Sequence, residues 1–132
     1  MSLTGTAGND SLIGSTTSDT LPGQTGNDYL DGKNGADTYL FNALDGADIL
    51  GDSSPDASVD VLVLSGAGLE STNVRATRVN TDDVQLSFGG SSASILLKNQ
   101  LFGGLSANYG VESIRFANGT TWTEAQLRSA LR

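Results

Sequence analysis

The chain has 132 residues, no cysteine and no histidine, seventeen glycines, and a net charge of −8. That length is one domain with enough apolar residues for an ordinary core, and the missing cysteines exclude disulfide stapling. The acidic surface argues against nucleic acid and anionic membranes as partners, and no apolar run reaches membrane-spanning length, so membrane insertion is not expected.

Met1, Ser2 and Leu3 lead straight into the first ordered pattern without a signal peptide, and a larger parent protein upstream is the expectation. From residue 5 to residue 40 a nine-residue unit is written four times: GTAGNDSLI, GSTTSDTLP, GQTGNDYLD, GKNGADTYL. Asp10, Asp19, Asp28 and Asp37 hold the sixth place, and Leu12, Leu21, Leu30 and Tyr39 the eighth. Two looser turns follow, with Asp48 before Leu50 and Asp60 before Leu62. A flexible acidic linker would not keep aspartate, glycine and a large apolar residue in phase over four units.

The unit has a physical logic. A glycine two residues before the aspartate (Gly8, Gly26, Gly35, Gly46) can take positive φ and lets six residues close a tight turn with inward-pointing carbonyls. The apolar eighth place starts a very short strand whose buried face no single unit can cover. Copies therefore stack, with strands about 4.8 Å apart. Stacking brings the aspartates together, and two carboxylates about 5 Å apart repel by roughly 3 kcal/mol at an effective dielectric near 20. A bound cation reverses the sign of that term. Carboxylates and turn carbonyls are hard oxygen ligands that suit calcium; magnesium demands a stiffer octahedron, and the absence of histidine and cysteine argues against zinc or copper. Asp31, Asp45, Asp52 and Asp56 fall off the phase and read as solvated turn residues.

These residues resemble the RTX (repeats-in-toxin) family, whose consensus G-G-x-G-x-D-x-U-x is a calcium-binding β-helix repeat. The match is specific over residues 5–40 and looser to residue 64. The resemblance implies an all-β fold, a right-handed parallel β-roll with two nonapeptides per coil, and calcium between each turn and the turn two units later. Carried over, the metal pairs are Asp10 with Asp28, Asp19 with Asp37, Asp28 with Asp48, and Asp37 with Asp60. Turn oxygens would come from Gly5, Ala7, Asn9, Gly23, Thr25, Asn27, Gly32, Asn34 and Ala36, for two to four Ca2+ ions. The chain departs from the consensus at its second glycine, replaced by Thr6, Ser15, Gln24 and Lys33. Thr17 stands at a turn-glycine place and Pro22 closes that unit, while Pro55 and Ser58 hold the glycine places of the last turn. Eleven residues separate Asp37 from Asp48, so an insertion around residues 41–44 must be absorbed by a longer strand or a bulge.

Charge divides the chain in the same place. Residues 1–60 contain ten acids and one base, residues 61–132 five acids and six bases, so metal binding and folding should be coupled in the first part.

Beyond Asp60 the nine-residue units give way to ordinary strands. The apolar run VDVLVLSG spans residues 59–66; Val84, Leu86 and Phe88 alternate with polar residues; residues 93–98 form another short strand. Ile114 and Phe116 lead into the hairpin signal Asn118-Gly119, followed by Thr120, Thr121 and Trp122. Thr123 and Gln126 make a capping box for a short terminal helix, with Leu127, Ala130 and Leu131 on one face. The stretch ESIRFANGTTWTEAQL, residues 112–127, resembles the haemolysin-type calcium-binding related segment that follows RTX repeats in secreted bacterial proteins. The expected organisation is a β-roll over residues 4–64 and a β-rich cap over residues 65–132, packed as one continuous domain.

Trp122, Phe116, Phe88 and Tyr39 hold positions expected to face a core, while Tyr29 and Tyr109 are freer to meet a ligand. No G-x-S-x-G, phosphate-cradling lysine motif, histidine or cysteine offers a catalytic group, and an enzyme is not expected. The reading is a calcium-binding module, monomeric when isolated, that folds on Ca2+ outside the cell. It would form the C-terminal part of a bacterial type I secretion substrate, secreted or at the cell surface. The alternative is a calcium-dependent carbohydrate-binding or adhesin module with an extracellular polysaccharide as partner, such as the accessory repeats of a polysaccharide-modifying enzyme.

Overall fold

The computed structural model describes residues 4–42, 46–51, 59–66, 68–89, 93–101 and 111–131. Six short strands come from the repeats: β1 (Ser11–Ile13), β2 (Thr20–Pro22), β3 (Tyr29–Asp31), β4 (Thr38–Asn42), β5 (Ala47–Leu50) and β6 (Val61–Ser65). Successive strands join opposite sheets. One sheet stacks β1, β3 and β5 in parallel, and the other stacks β2, β4 and β6. Each coil thus uses two units. The register sets Leu12 beside Leu30 and Leu30 beside Leu50 in one sheet, and Leu21 beside Tyr39 and Tyr39 beside Leu62 in the other.

The eighth place of the unit is what the two sheets bury between them. Leu21, Leu30, Tyr39, Leu50 and Leu62 are fully buried, while Leu12, on the edge strand, is half-buried. The eleven-residue step is taken up by a longer strand: β4 has five residues where β1 to β3 have three. Its extra length places Phe41 two residues after Tyr39 on the same inward face, and Phe41 is buried as well. Residues 43–45 lie outside the described residues.

The rest of the chain continues both sheets. β7 (Val74–Val79), β8 (Asp83–Phe88) and β9 (Ser94–Leu97) form an antiparallel meander, and β9 lies parallel against β5. β10 (Ser113–Arg115) lies parallel against β6 and turns back through Gly119, at φ 89°, into β11 (Thr121–Thr123). The expected strands at residues 59–66, 84–88 and 93–98 are therefore present, as is the Asn118-Gly119 hairpin. β7 was not anticipated; Arg75 and Arg78 within it break the kind of apolar alternation that marks β8.

Gln100 ties the two sheets' extensions together, donating from Nε2 to the Val111 carbonyl at 2.6 Å and accepting from the Val111 amide at 2.9 Å. Helix α1 (Glu124–Ser129) carries the capping box: the Thr123 amide donates to Gln126 Oε1 at 2.8 Å and the Gln126 amide to Thr123 Oγ1 at 3.3 Å. Leu127 is buried in the core, and beyond the helix Leu131 bridges to Ala76 in β7. Trp122 packs edge-on against Phe116 with ring centroids 4.7 Å apart.

Candidate metal centre

Asp10, Asp19, Asp28, Asp37 and Asp60 stand immediately before their strands and Asp48 is the second residue of β5, so the parallel register of the strands stacks the aspartates. Asp10, Asp28 and Asp48 line one edge of the roll, and Asp19, Asp37 and Asp60 the other. One hydrogen bond recurs at every step. The amide of Asp10 donates to Oδ1 of Asp28 at 2.8 Å, and that of Asp28 to Oδ1 of Asp48 at 2.9 Å. On the other edge Asp19 donates to Asp37 and Asp37 to Asp60, both at 2.8 Å. All four aspartate pairs expected from the sequence are brought together, including the two that involve Asp19 and Asp60.

Burial makes these columns electrostatically demanding. Asp19, Asp28, Asp37, Asp48 and Asp60 are each 3% exposed or less. One oxygen of each acceptor carboxylate ties coil to coil, while Oδ2 of Asp28, Asp37, Asp48 and Asp60 is buried as well. Taking charged carboxylates out of water in a stacked row is unfavourable unless an opposite charge compensates.

The space beside these oxygens is kept open by the first glycine of each unit. A Cβ on Gly23 would lie 2.5 Å from Oδ2 of Asp28, and one on Gly14 would lie 2.5 Å from Oδ2 of Asp19 and 2.6 Å from the carbonyl oxygen of Gly32. Gly5 stands in the same relation to Asp10 and to the Gly23 carbonyl, and Gly32 to Asp37. Carboxylate and main-chain oxygens therefore converge at the place a side chain would fill. Among the described residues no three acidic, histidine or cysteine side chains meet at one point, so a six- to eight-coordinate ion would draw the rest of its shell from carbonyls. The donor set is oxygen alone, which fits calcium.

Two family models match the chain. The first is the RTX calcium-binding nonapeptide repeat, in four copies over residues 4–39; the second is the haemolysin-type calcium binding protein related domain, over residues 83–126. The chain carries RTX calcium-binding repeats followed by a haemolysin-type calcium binding protein related domain. No curated protein matches it at a significant level.

Within these RTX repeats the turns are of two kinds. In the first two, the residue at the second place closes the turn on its own aspartate. The Thr6 amide donates to Asp10 Oδ2 at 2.6 Å, with its hydroxyl 3.0 Å from both carboxylate oxygens; the Ser15 amide donates to Asp19 Oδ2 at 2.7 Å, with its hydroxyl 3.2 Å from both. Burial pushes the Asp19 pKa up, but hydrogen bonds, that of the Ser15 amide foremost, and nearby positive charge outweigh it and hold the group below the ordinary aspartate value. In the third and fourth turns the second place is Gln24 and Lys33, held at φ 69° and 68°. The turn glycines Gly26, Gly35 and Gly46 have positive φ as anticipated, whereas Gly8 does not.

The remaining expected ligand residues take several parts. The Ala7 carbonyl accepts from the Thr25 hydroxyl at 3.2 Å, and Asn9 Oδ1 accepts the Asn27 amide at 2.7 Å. Asn27 Oδ1 in turn accepts the Ala47 amide at 2.9 Å, so asparagine side chains run a second ladder beside the aspartates. Asn34 and Ala36 are exposed in the fourth turn. Asp31 is not the solvated turn residue its phase suggested. It is 3% exposed, its Oδ1 accepting from the Lys33 amide at 3.0 Å and its Oδ2 lying 3.5 Å from Lys33 Nζ, because the left-handed Lys33 folds the turn back over it. Asp45, Asp52, Asp56, Pro55, Ser58 and Tyr109 lie outside the described residues.

Of the four aromatics expected to face the core, Tyr39 is buried with its hydroxyl accepting the Gly32 amide at 2.8 Å, Phe88 and Phe116 are buried, and Trp122 packs half-buried against the core. Tyr29 is half-buried beside Gly51, where burial, reinforced by Asp31, pushes its hydroxyl pKa up.

One residue of the ladder escaped the sequence reading. The Asp60 amide donates to Glu112 Oε1 at 2.7 Å. No nine-residue unit surrounds Glu112, but Glu112 and Ile114 repeat the acid-x-apolar spacing of Asp60 and Leu62, which is the signal that marks it.

Proposed function

We propose that this module folds on binding Ca2+ outside the cell, as the C-terminal part of a bacterial protein secreted by the type I route. The observation that carries the reading is the in-register stacking of buried carboxylates on both edges of the roll. Such a stack opposes folding where calcium is scarce and favours it where calcium is plentiful, since each ion offsets two negative charges at the place where they are closest. Extracellular calcium modules typically bind at about 10⁻⁴–10⁻³ M, so the chain would remain unfolded in a calcium-poor cytoplasm and fold after export.

Asp10, Asp19, Asp28, Asp37, Asp48 and Asp60 supply the carboxylates, with carbonyls of the turns completing shells for two to four ions. The isolated module acts as a monomer and catalyses no reaction.

Calorimetric calcium titration of metal-stripped protein, with circular dichroism read alongside, tests this. Two to four ions should bind as strand structure appears, and magnesium at equal concentration should do much less. A spectrum identical with and without chelator in fully metal-free protein refutes the reading.

A further inference from the structure

The Asp60 and Glu112 pair joins residues 52 apart by the same geometry that joins the repeats. Asp19 to Asp37, Asp37 to Asp60, and Asp60 to Glu112 are amide-to-carboxylate bonds of 2.8, 2.8 and 2.7 Å. The main chain keeps step: Thr38 donates to the Asp19 carbonyl at 2.9 Å, Val61 to that of Asp37 at 2.9 Å, and Ser113 to that of Asp60 at 3.2 Å. Registers agree as well, since Thr20, Thr38, Val61 and Ser113 follow one another across the sheet. Buried Ile114 continues the row of Leu21, Tyr39 and Leu62.

The other edge ends differently. There β9 brings Ile95 opposite Asp48, and residues 93–101 contain no acid. Among the described residues the C-terminal segment therefore enters the carboxylate ladder through the side chain of Glu112.

We infer that Glu112 is a positioning residue that docks the C-terminal segment as the next coil of the roll, so that calcium-driven ordering of the repeats and ordering of the cap become a single event. This rests on the calcium reading above. The argument is one of hydrogen-bond accounting: the Asp60 amide sits at the last aspartate of its column, and a buried amide must find an acceptor. In every earlier coil that acceptor is the aspartate of the next coil, two units on. Here it comes from a segment that has no unit, and a glutamate supplies it.

The test uses the full metal-stripped chain titrated with calcium chloride. Trp122, the only tryptophan, lies in β11 directly across from Ile114 and reports the cap by fluorescence. Hydrogen exchange at the Tyr29 and Thr38 amides, which bond the coil before them, reports the roll. In the wild type the two signals should share one midpoint. In Glu112→Ala the Trp122 transition should move to about tenfold higher calcium than the roll transition, a separation equivalent to about 1.4 kcal/mol. Glu112→Gln keeps an acceptor oxygen and should restore a common midpoint.

Coincident midpoints in Glu112→Ala overturn the proposal, and so does separation in Glu112→Gln matching that in Glu112→Ala. If Glu112→Ala does not fold at any calcium concentration, Glu112→Gln decides alone: a common midpoint supports the proposal, and separation or failure to fold refutes it. A wild-type chain indifferent to calcium would instead refute the calcium reading.

Discussion

The amide of Asp19 donates to Oδ1 of Asp37 at 2.8 Å, with both side chains buried. This bond belongs to the unit with Thr17 in place of its turn glycine and with a proline at its end, and it is as short as the Asp10 to Asp28 bond of the regular units. Local departures from the consensus leave the ladder intact because the strand register, not the turn, sets the aspartates opposite one another.

Replacement of the mid-column aspartates should do the most damage. Asp28 and Asp37 each accept an amide from one coil and donate to the next, whereas Asp10 and Asp19 accept mainly from their own turn. Breaking a buried charged cluster costs about 3–5 kcal/mol, so Asp28→Ala and Asp37→Ala should raise the calcium midpoint by more than tenfold. Asp10→Ala should raise it only a few-fold. Titration followed by circular dichroism ranks the variants, and equal shifts for Asp10→Ala and Asp28→Ala would show that the column position is irrelevant.

The first glycine of the unit should be irreplaceable for a reason other than backbone freedom. A methyl group on Gly14 or Gly23 would collide with the carboxylate oxygen that faces the site. At Gly8 the nearest added contact is 3.8 Å away and φ is ordinary. Gly14→Ala and Gly23→Ala should therefore weaken calcium binding strongly while Gly8→Ala leaves it nearly unchanged, as measured by calorimetry. Loss of binding in Gly8→Ala comparable to that in Gly23→Ala would contradict this assignment.

Gln24 and Lys33 pay a backbone cost that glycine avoids. Both sit at positive φ, a conformation costing about 1–3 kcal/mol for a residue with a side chain, against a smaller entropic penalty for glycine in the unfolded chain. In saturating calcium, Gln24→Gly should raise the melting temperature, by an amount corresponding to roughly 0.5–1 kcal/mol. Lys33→Gly should gain less, since it also gives up the Asp31 contact at 3.5 Å. A lower melting temperature for Gln24→Gly would show that the turn is not strained.

A fragment ending at residue 64 should not fold even in calcium. It lacks β9 and β10, leaving the edges of β5 and β6 open and the core around Leu50, Leu62 and Leu64 uncovered. Supplying residues 65–132 in the same chain should restore folding. A cooperative calcium-induced transition in the short fragment, with monomeric behaviour in sedimentation, would show that the repeats need no cap.

The resemblance to RTX repeats supplied the pairing of aspartates two units apart. Local pattern and periodicity in the sequence were enough to phase the aspartates, to name the buried eighth-place residues, and to find the Asn118-Gly119 hairpin and the Thr123 and Gln126 capping box. Those features are local, or repeat at a fixed interval, so side-chain chemistry and spacing alone determine them. Other features required the folded chain. The collision space at Gly14 and Gly23, the asparagine ladder from Asn9 to Ala47, and the burial of Asp31 depend on which atoms meet across coils. Glu112 depends on more still: only when β10 aligns with β6 does an acid outside any repeat unit become the next rung, because a parallel sheet matches strands by hydrogen bonds and buried faces whatever their separation along the chain.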